Sequence, residues 1–483
     1  MAIRSNALVT RKKGSRSGAL RFRCAVVAIS FGSYAWSDAI DDIKPGEWYE
    51  VPNSKLATVQ PSPVPPGTNG TESVMLAWSG GAFDNKRDRL IIWGGGHGNY
   101  SGNEVYVFDV NTLKWSRVSD PSLNVGGDEQ SGLYPDGNPR SRHTYNYVQY
   151  VPSIDRFCTF GGGAMYPTGA FGSNKNLCFD FEARKWTQMA NAIATGIGSI
   201  SARDPETGLI WVQASGNNGA FAQWDAAKDT WTKFSSYPKG WFEYYYTAAA
   251  GRAKFLALGM NKVIQWDLVN PQNTPIEIAT TGDNQIVAVN NPGFAYQSKT
   301  GYFMAWNGGA DVYALDVLAK KWLKVPLAAT NKVIPTAAQQ YGTYGRFQYV
   351  ASRDVFIVVN RTTESVYLFR PSVLPIVSIK DGKPVPRSGK VRIEILNGTQ
   401  PAFNSDIPVV GGLVTRGALS CRILSPNSGL LFAQNISESP QGSLVVRMEK
   451  GRLQGGTTTS GAYFLQILQG DQPILSRRFN VIR

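Results

Sequence analysis

The sequence predicts an all-β chain: a ring of six four-stranded blades, a β-propeller, followed by a β-sandwich. Three observations predict it. First, an apolar stretch runs into a glycine, a second apolar stretch ends in aspartate, and a tryptophan follows six residues later, at Asp109–Trp115, Asp180–Trp186, Asp225–Trp231 and Asp316–Trp322. Asp267 keeps the first half of the pattern without the tryptophan. The tryptophans are 71, 45 and 91 residues apart, and 91 is close to two units of 45. A repeat of roughly 40–50 residues built from short strands is the period of a propeller blade. Second, 50 glycines and 27 prolines supply the turns that many short strands need. Third, after Pro371 the pattern changes to plain period-two alternation.

Strands a to d, from the axis outward, are expected at residues 73–79, 90–93, 104–110 and 114–118 in blade one and 143–151, 156–160, 176–181 and 185–189 in blade two. Blade three takes 198–203, 209–213, 220–224 and 230–234, and blade four takes 243–249, 254–258, 262–266 and 275–279. Blade five takes 293–297, 302–306, 312–315 and 321–325. Blade six has only three strands, 347–351, 355–359 and 365–369, before Pro371 stops the pattern. Its fourth is expected from the other end of the chain, because Trp48, Val51 and Pro52 repeat the spacing of Trp322, Val325 and Pro326. Strand 46–52 then seals the ring and leaves no open edge. A split blade within 119–140 would make seven.

The repeated aspartate is expected to accept from the backbone of the c–d turn. The tryptophan starts strand d and packs between blades. Beyond the propeller, alternation at 390–396, 443–447 and 461–468 reads as an antiparallel sandwich of about 100 residues. The expected organisation is a signal peptide over 1–37, the propeller over 38–371 and the sandwich over 372–483.

The net charge of +14 is uneven. Residues 1–37 hold seven basic residues and no acid, and 371–483 hold 13 Lys/Arg against six Asp/Glu, which leaves the middle near neutral. This balance fits an anionic surface or polymer as partner. A basic start, an apolar run from Cys24 to Trp36 and the small residues Ala35 and Ser37 read as a secretory signal. That predicts a secreted or periplasmic protein. No apolar run reaches the roughly 18–20 residues of a transmembrane helix, and no nucleic-acid motif is present. Cys158 and Cys178 fall on neighbouring strands of blade two, where a cross-strand disulfide and two buried thiols both remain open.

Gly94, Gly95 and Gly96 with Asp109 and Trp115, and Gly161, Gly162 and Gly163 with Phe179, Asp180 and Trp186, resemble the kelch and galactose-oxidase-like propellers. The hairpin pattern at 460–482 is similar to the last hairpin of the Ig-like modules that end secreted bacterial proteins. The resemblance implies a secreted propeller with a C-terminal Ig-like module. Galactose oxidase itself needs two histidine ligands, one of them from the C-terminal module, and a tyrosine–cysteine crosslink. No histidine follows His143 here, which disfavours a copper-radical oxidase. Sialidase boxes are absent from the chain as well.

Only two histidines occur, His97 and His143. His97 falls in the b–c loop of blade one and His143 at the entry to blade two. In a blade those two loops lie on one face, so both rings are expected at one mouth of the channel. Around them the same face collects Tyr100, Arg140, Tyr145, Trp241, Tyr344 and Arg346 as candidate substrate contacts. Aromatic rings and arginines suit sugars and their acidic substituents. Two facing carboxylates, as a glycosidase needs, do not stand out. Histidine, tyrosine and arginine suit β-elimination from a uronic acid instead. Propeller polysaccharide lyases are similar in using such a set on one face. The resemblance carries over only the histidine roles, to His97 and His143; Tyr244 or Tyr246 and Arg142 complete the expected catalytic group without a motif to place them. The expected function is cleavage of an acidic polysaccharide, with a non-catalytic glycan- or protein-binding propeller as the alternative. No cofactor is required and no metal ligand set is assigned, although an ion between the two histidines stays open, two being too few ligands to assign one.

Overall fold

The computed structural model describes residues 39–169, 172–193, 197–215, 219–236 and 245–374, together with the backbone of the strands between 390 and 481. The expected signal segment, Trp241 and Tyr244 lie outside the described residues.

Six antiparallel sheets form the six blades. Blade three is Ile200–Arg203, Ile210–Gln213, Ala220–Asp225 and Thr230–Ser236. Blade four is Thr247–Gly251, Lys254–Gly259, Lys262–Asp267 and Ile276–Glu277. Blade five is Gly293–Gln297, Tyr302–Trp306, Val312–Asp316 and Lys321–Lys324, with Thr281–Gly282 added in parallel on its outer edge. Blade six is Gln348–Val350, Val355–Val358 and Tyr367–Arg370, and its outer strand is Glu47–Glu50. The pairing there is antiparallel, with Trp48 opposite Phe369 and Glu50 opposite Tyr367. Residues 119–140 hold one 3-10 turn, Glu129–Ser131, and no further blade.

Two blades differ from expectation, and both differences shape the site. In blade one the strands are Gly81–Asp84, Arg89–Ile92, Tyr106–Asp109 and Lys114–Arg117. The segment expected as strand a is instead a helical turn, Ser73–Leu76. Its apolar residues Val74 and Met75 are buried between blades six and one, so the apolar signal was correct and its period was misread. In blade two the inner strand is only Val148–Val151, because Tyr145 takes a positive φ of 42° and breaks the run. Arg142–His143 forms a separate short strand on Met165 and Gly163. It can do so because strands b and c extend to Arg156–Met165 and Gly172–Asp180, beyond the expected 156–160 and 176–181.

The core is a set of wedges between blades. One apolar cluster joins blade six to blade one. Others join one to two, two to three, three to four, four to five and five to six. The repeated aspartates cap the c–d turns. Asp109 Oδ1 accepts from the Asn111 and Thr112 N–H groups at 2.8 and 3.0 Å, and Asp316 Oδ1 from Leu318 and Ala319 at 2.9 Å each. Cys158 and Cys178 stand opposite each other on strands b and c and form a disulfide. No helix among the described residues is long and apolar enough to cross a membrane. From 390 to 481 the strands pair into a three-stranded and a four-stranded sheet, with Lys390–Asn397 parallel to Leu444–Glu449. Their packing as a sandwich lies outside the described residues.

Candidate functional site

Three inlet loops and one b–c loop meet above blades six, one and two. The b–c loop of blade one carries His97 after three glycines. It must lie against the blade-two inlet, and Gly96, at φ +79°, is what permits this. A Cβ there would fall 2.4 Å from Ala164 O and from Arg142 Cα. With no side chain in the way, the Gly96 N–H donates to Ser141 Oγ at 2.8 Å and the His97 N–H to Ala164 O at 2.8 Å. His97 is itself left-handed, at φ 46°. Its exposed ring rests on the backbone of Gly169, at the tip of the extended blade-two hairpin.

His143 lies beside it, the ring centroids 6.1 Å apart. It is only 5% exposed. Its Nδ1 is 3.4 Å from Tyr145 Oη, a long contact, and its Nε2 has no hydrogen-bond partner. Burial, reinforced by the neighbouring His97, pushes His143 down to about 3, so the imidazole is neutral around pH 7. One face of the ring stacks on Trp78 at 5.0 Å, and Trp78 in turn stacks on Tyr341 at 3.9 Å. The three rings come from the entries to blades two, one and six. The structure therefore brings His97, His143 and Tyr145 together, and adds Trp78 and Tyr341. Trp78 escaped the sequence reading because its segment was assigned to a strand. Its position before Gly80 and Gly81, matching Tyr145 before strand a of blade two, is the signal that could have found it.

The arginines stand differently from the expectation that they line the rim. Arg140, Arg142 and Arg346 are each 0% exposed. Arg140 donates to the carbonyls of Leu133, Val125, Tyr166, Gly126 and Gly127. Arg142 donates to Arg140, Gly161 and Gly132, and Arg346 to Val359, Met75, Ser79 and Gly342. These side chains tie loops of different blades together. Burial lowers Arg142 to about 10 and Arg346 to about 9, so both stay charged near neutral pH. Among the described residues no carboxylate pairs with any of the three.

The remaining expected residues that the structure describes are also interior. Tyr100 is buried and donates to Glu104 Oε1, which also accepts from Tyr106 Oη at 2.6 Å. Burial first, and Glu104 second, raise the Tyr100 phenol above its ordinary range. Tyr344 is fully buried edge-on to Tyr145, 6.1 Å away. Tyr246 packs into the wedge between blades three and four. No group of three or more His, Cys, Asp or Glu able to hold a metal ion occurs among the described residues. No family model matches the chain, and no curated protein matches it.

Proposed function

We propose that this face of the propeller binds an acidic polysaccharide and cleaves it by β-elimination. The observation that carries the reading is an exposed His97 set against a buried, neutral His143, on a face with three buried guanidinium groups that have no carboxylate partner among the described residues. Uncompensated positive charge in a low-dielectric interior favours an anionic ligand at the nearest accessible surface. His97 is the accessible ring, so it is the group that meets the sugar. A base there takes the proton at C5 of the uronate. The electron pair forms the C4–C5 double bond, the C4–oxygen bond breaks, and the leaving oxygen keeps its pair and collects a proton. His143 stands behind as a neutral imidazole, which leaves the proton taken at C5 on His97, the accessible ring, to return to the leaving oxygen or to solvent.

The kelch-like repeat, the basic and apolar start of the chain and the Cys158–Cys178 disulfide support a secreted or periplasmic setting. The second reading, binding without turnover, is favoured by one observation: the guanidinium N–H bonds near the histidines go to main-chain carbonyls, and none of these arginines reaches the surface. A panel of acidic polysaccharides, read for both binding and unsaturated uronate, separates the two. Elimination predicts an unsaturated product that His97→Ala abolishes. Binding alone predicts affinity without product, and product formation untouched by His97→Ala and His143→Ala would overturn the site assignment.

A further inference from the structure

Among the described residues His143 lacks the partner that usually orients a functional imidazole. A working histidine normally donates one ring N–H to a carboxylate or a backbone carbonyl, and that bond fixes the ring plane. Among the described residues Nε2 has no hydrogen-bond partner and Nδ1 has only the 3.4 Å contact to Tyr145. The indole of Trp78 stacks on the ring, 25° from parallel at 5.0 Å.

Trp78 is suited to this task and unsuited to the more obvious one, a platform for sugar rings. A platform needs an open face. Tyr341 stacks on Trp78 at 3.9 Å and 23° and His143 at 5.0 Å and 25°, so the indole already carries two ring partners. Its backbone is pinned as well. Trp78 sits at φ +44°, a conformation that costs an L residue stability and persists only when its surroundings impose it. The Trp78 N–H donates to Leu76 O at 3.0 Å, and its carbonyl accepts from the Tyr145 N–H at 2.6 Å. Two residues on, Gly80 N–H donates to Thr144 Oγ1 at 2.9 Å. The bonds to Tyr145 and Thr144 run into the very loop that carries His143.

We propose that Trp78, stacked on both Tyr341 and His143, is the positioning residue of the histidine pair and sets the plane of the His143 imidazole by stacking. This rests on the reading of the face as the working site. The titratable and charged groups facing His143 are His97 and Tyr145, with Arg142 on the same short strand directed to carbonyls.

The test uses the full chain, whose only two histidines give two imidazole Cε1–H resonances. Trp78→Leu removes the ring, Trp78→Phe keeps a stacking face, and Tyr341→Leu removes its other ring partner. Trp78→Leu is expected to shift the His143 resonance and raise its titration midpoint toward the ordinary histidine value as water enters. Trp78→Phe restores both, and Tyr341→Leu moves both in the same direction by less. On a substrate that turns over, Trp78→Leu lowers kcat about tenfold with KM little changed, and Trp78→Phe recovers it. An unchanged His143 resonance and midpoint in Trp78→Leu overturns the inference. If that variant does not fold, an unchanged His143 in Tyr341→Leu overturns it equally. Because the resonance is read without substrate, failure of the lyase reading and failure of the positioning role give different results.

Discussion

Gly169→Ala is the sharpest perturbation the structure offers, because it reaches the exposed histidine without touching it chemically. A Cβ built at Gly169 lies 1.8 Å from His97 Cδ2 and 2.8 Å from Nε2. Carbon contacts begin near 3.5 Å, so the imidazole must move by about 1.7 Å. The ring is an exposed side chain and can move at small cost. The stability loss is then mainly that of placing alanine at φ +75°, roughly 1–2 kcal/mol. Function is far more sensitive, since a displacement of about 1 Å at a reacting group costs on the order of a hundredfold. Gly137→Ala is the matched control, for Gly137 has φ +85° and nothing within 4 Å of its added Cβ. Urea denaturation should find the two variants similarly destabilised. Turnover of an acidic polysaccharide, or affinity where only binding occurs, should fall about a hundredfold in Gly169→Ala and stay near wild type in Gly137→Ala. Equal function in the two variants would refute the reasoning.

Three further outcomes follow from single side chains. His143 has its folded pKa lowered to about 3, so its contribution is fully present above the unfolded value near 6.5 and is lost as pH falls through about 3. At about pH 4.5 that amounts to roughly 3 kcal/mol relative to pH 7.5, and His143→Phe should remove this part of the acid sensitivity in urea titrations. Arg140→Lys replaces a fork that serves five carbonyls with a point donor; it should cost about 3 kcal/mol or more in chemical denaturation, with proteolytic cleavage appearing first in 125–133. Trp48 packs against Phe369 and Trp306 and donates from Nε1 to Ala310 O at 2.9 Å, so Trp48→Ala should cost about 3–5 kcal/mol and open the ring to self-association seen by light scattering.

The ring was legible in the sequence where a local rule controls the backbone. The aspartates cap their own c–d turns two or three residues on, and Trp48 repeats the outer-strand spacing of Trp322, so six blades and the N-terminal closure could be read directly. The disulfide could only be left open, because pairing depends on the register that sets Cys158 opposite Cys178. His97 and His143 were brought to one face by topology alone. Their surroundings were not legible. Val74 and Met75 look alike on a strand or a helical turn, and that ambiguity hid Trp78. Arg142 and Arg346 sit at rim positions in the chain but reach carbonyls contributed by distant loops, Gly132 and Gly161 for one, Met75 and Ser79 for the other. No pattern in the sequence states the direction of so long a side chain.

As proposed, His97 beside a neutral His143 performs elimination on an acidic polysaccharide. The direct measurement is formation of unsaturated uronate, followed by its ultraviolet absorbance, with wild type and His97→Ala compared at equal bound substrate. Product is expected from the wild type and none from His97→Ala while binding persists. Equal rates of product formation from both proteins, or binding by the wild type with no product on any uronate polymer, would contradict it.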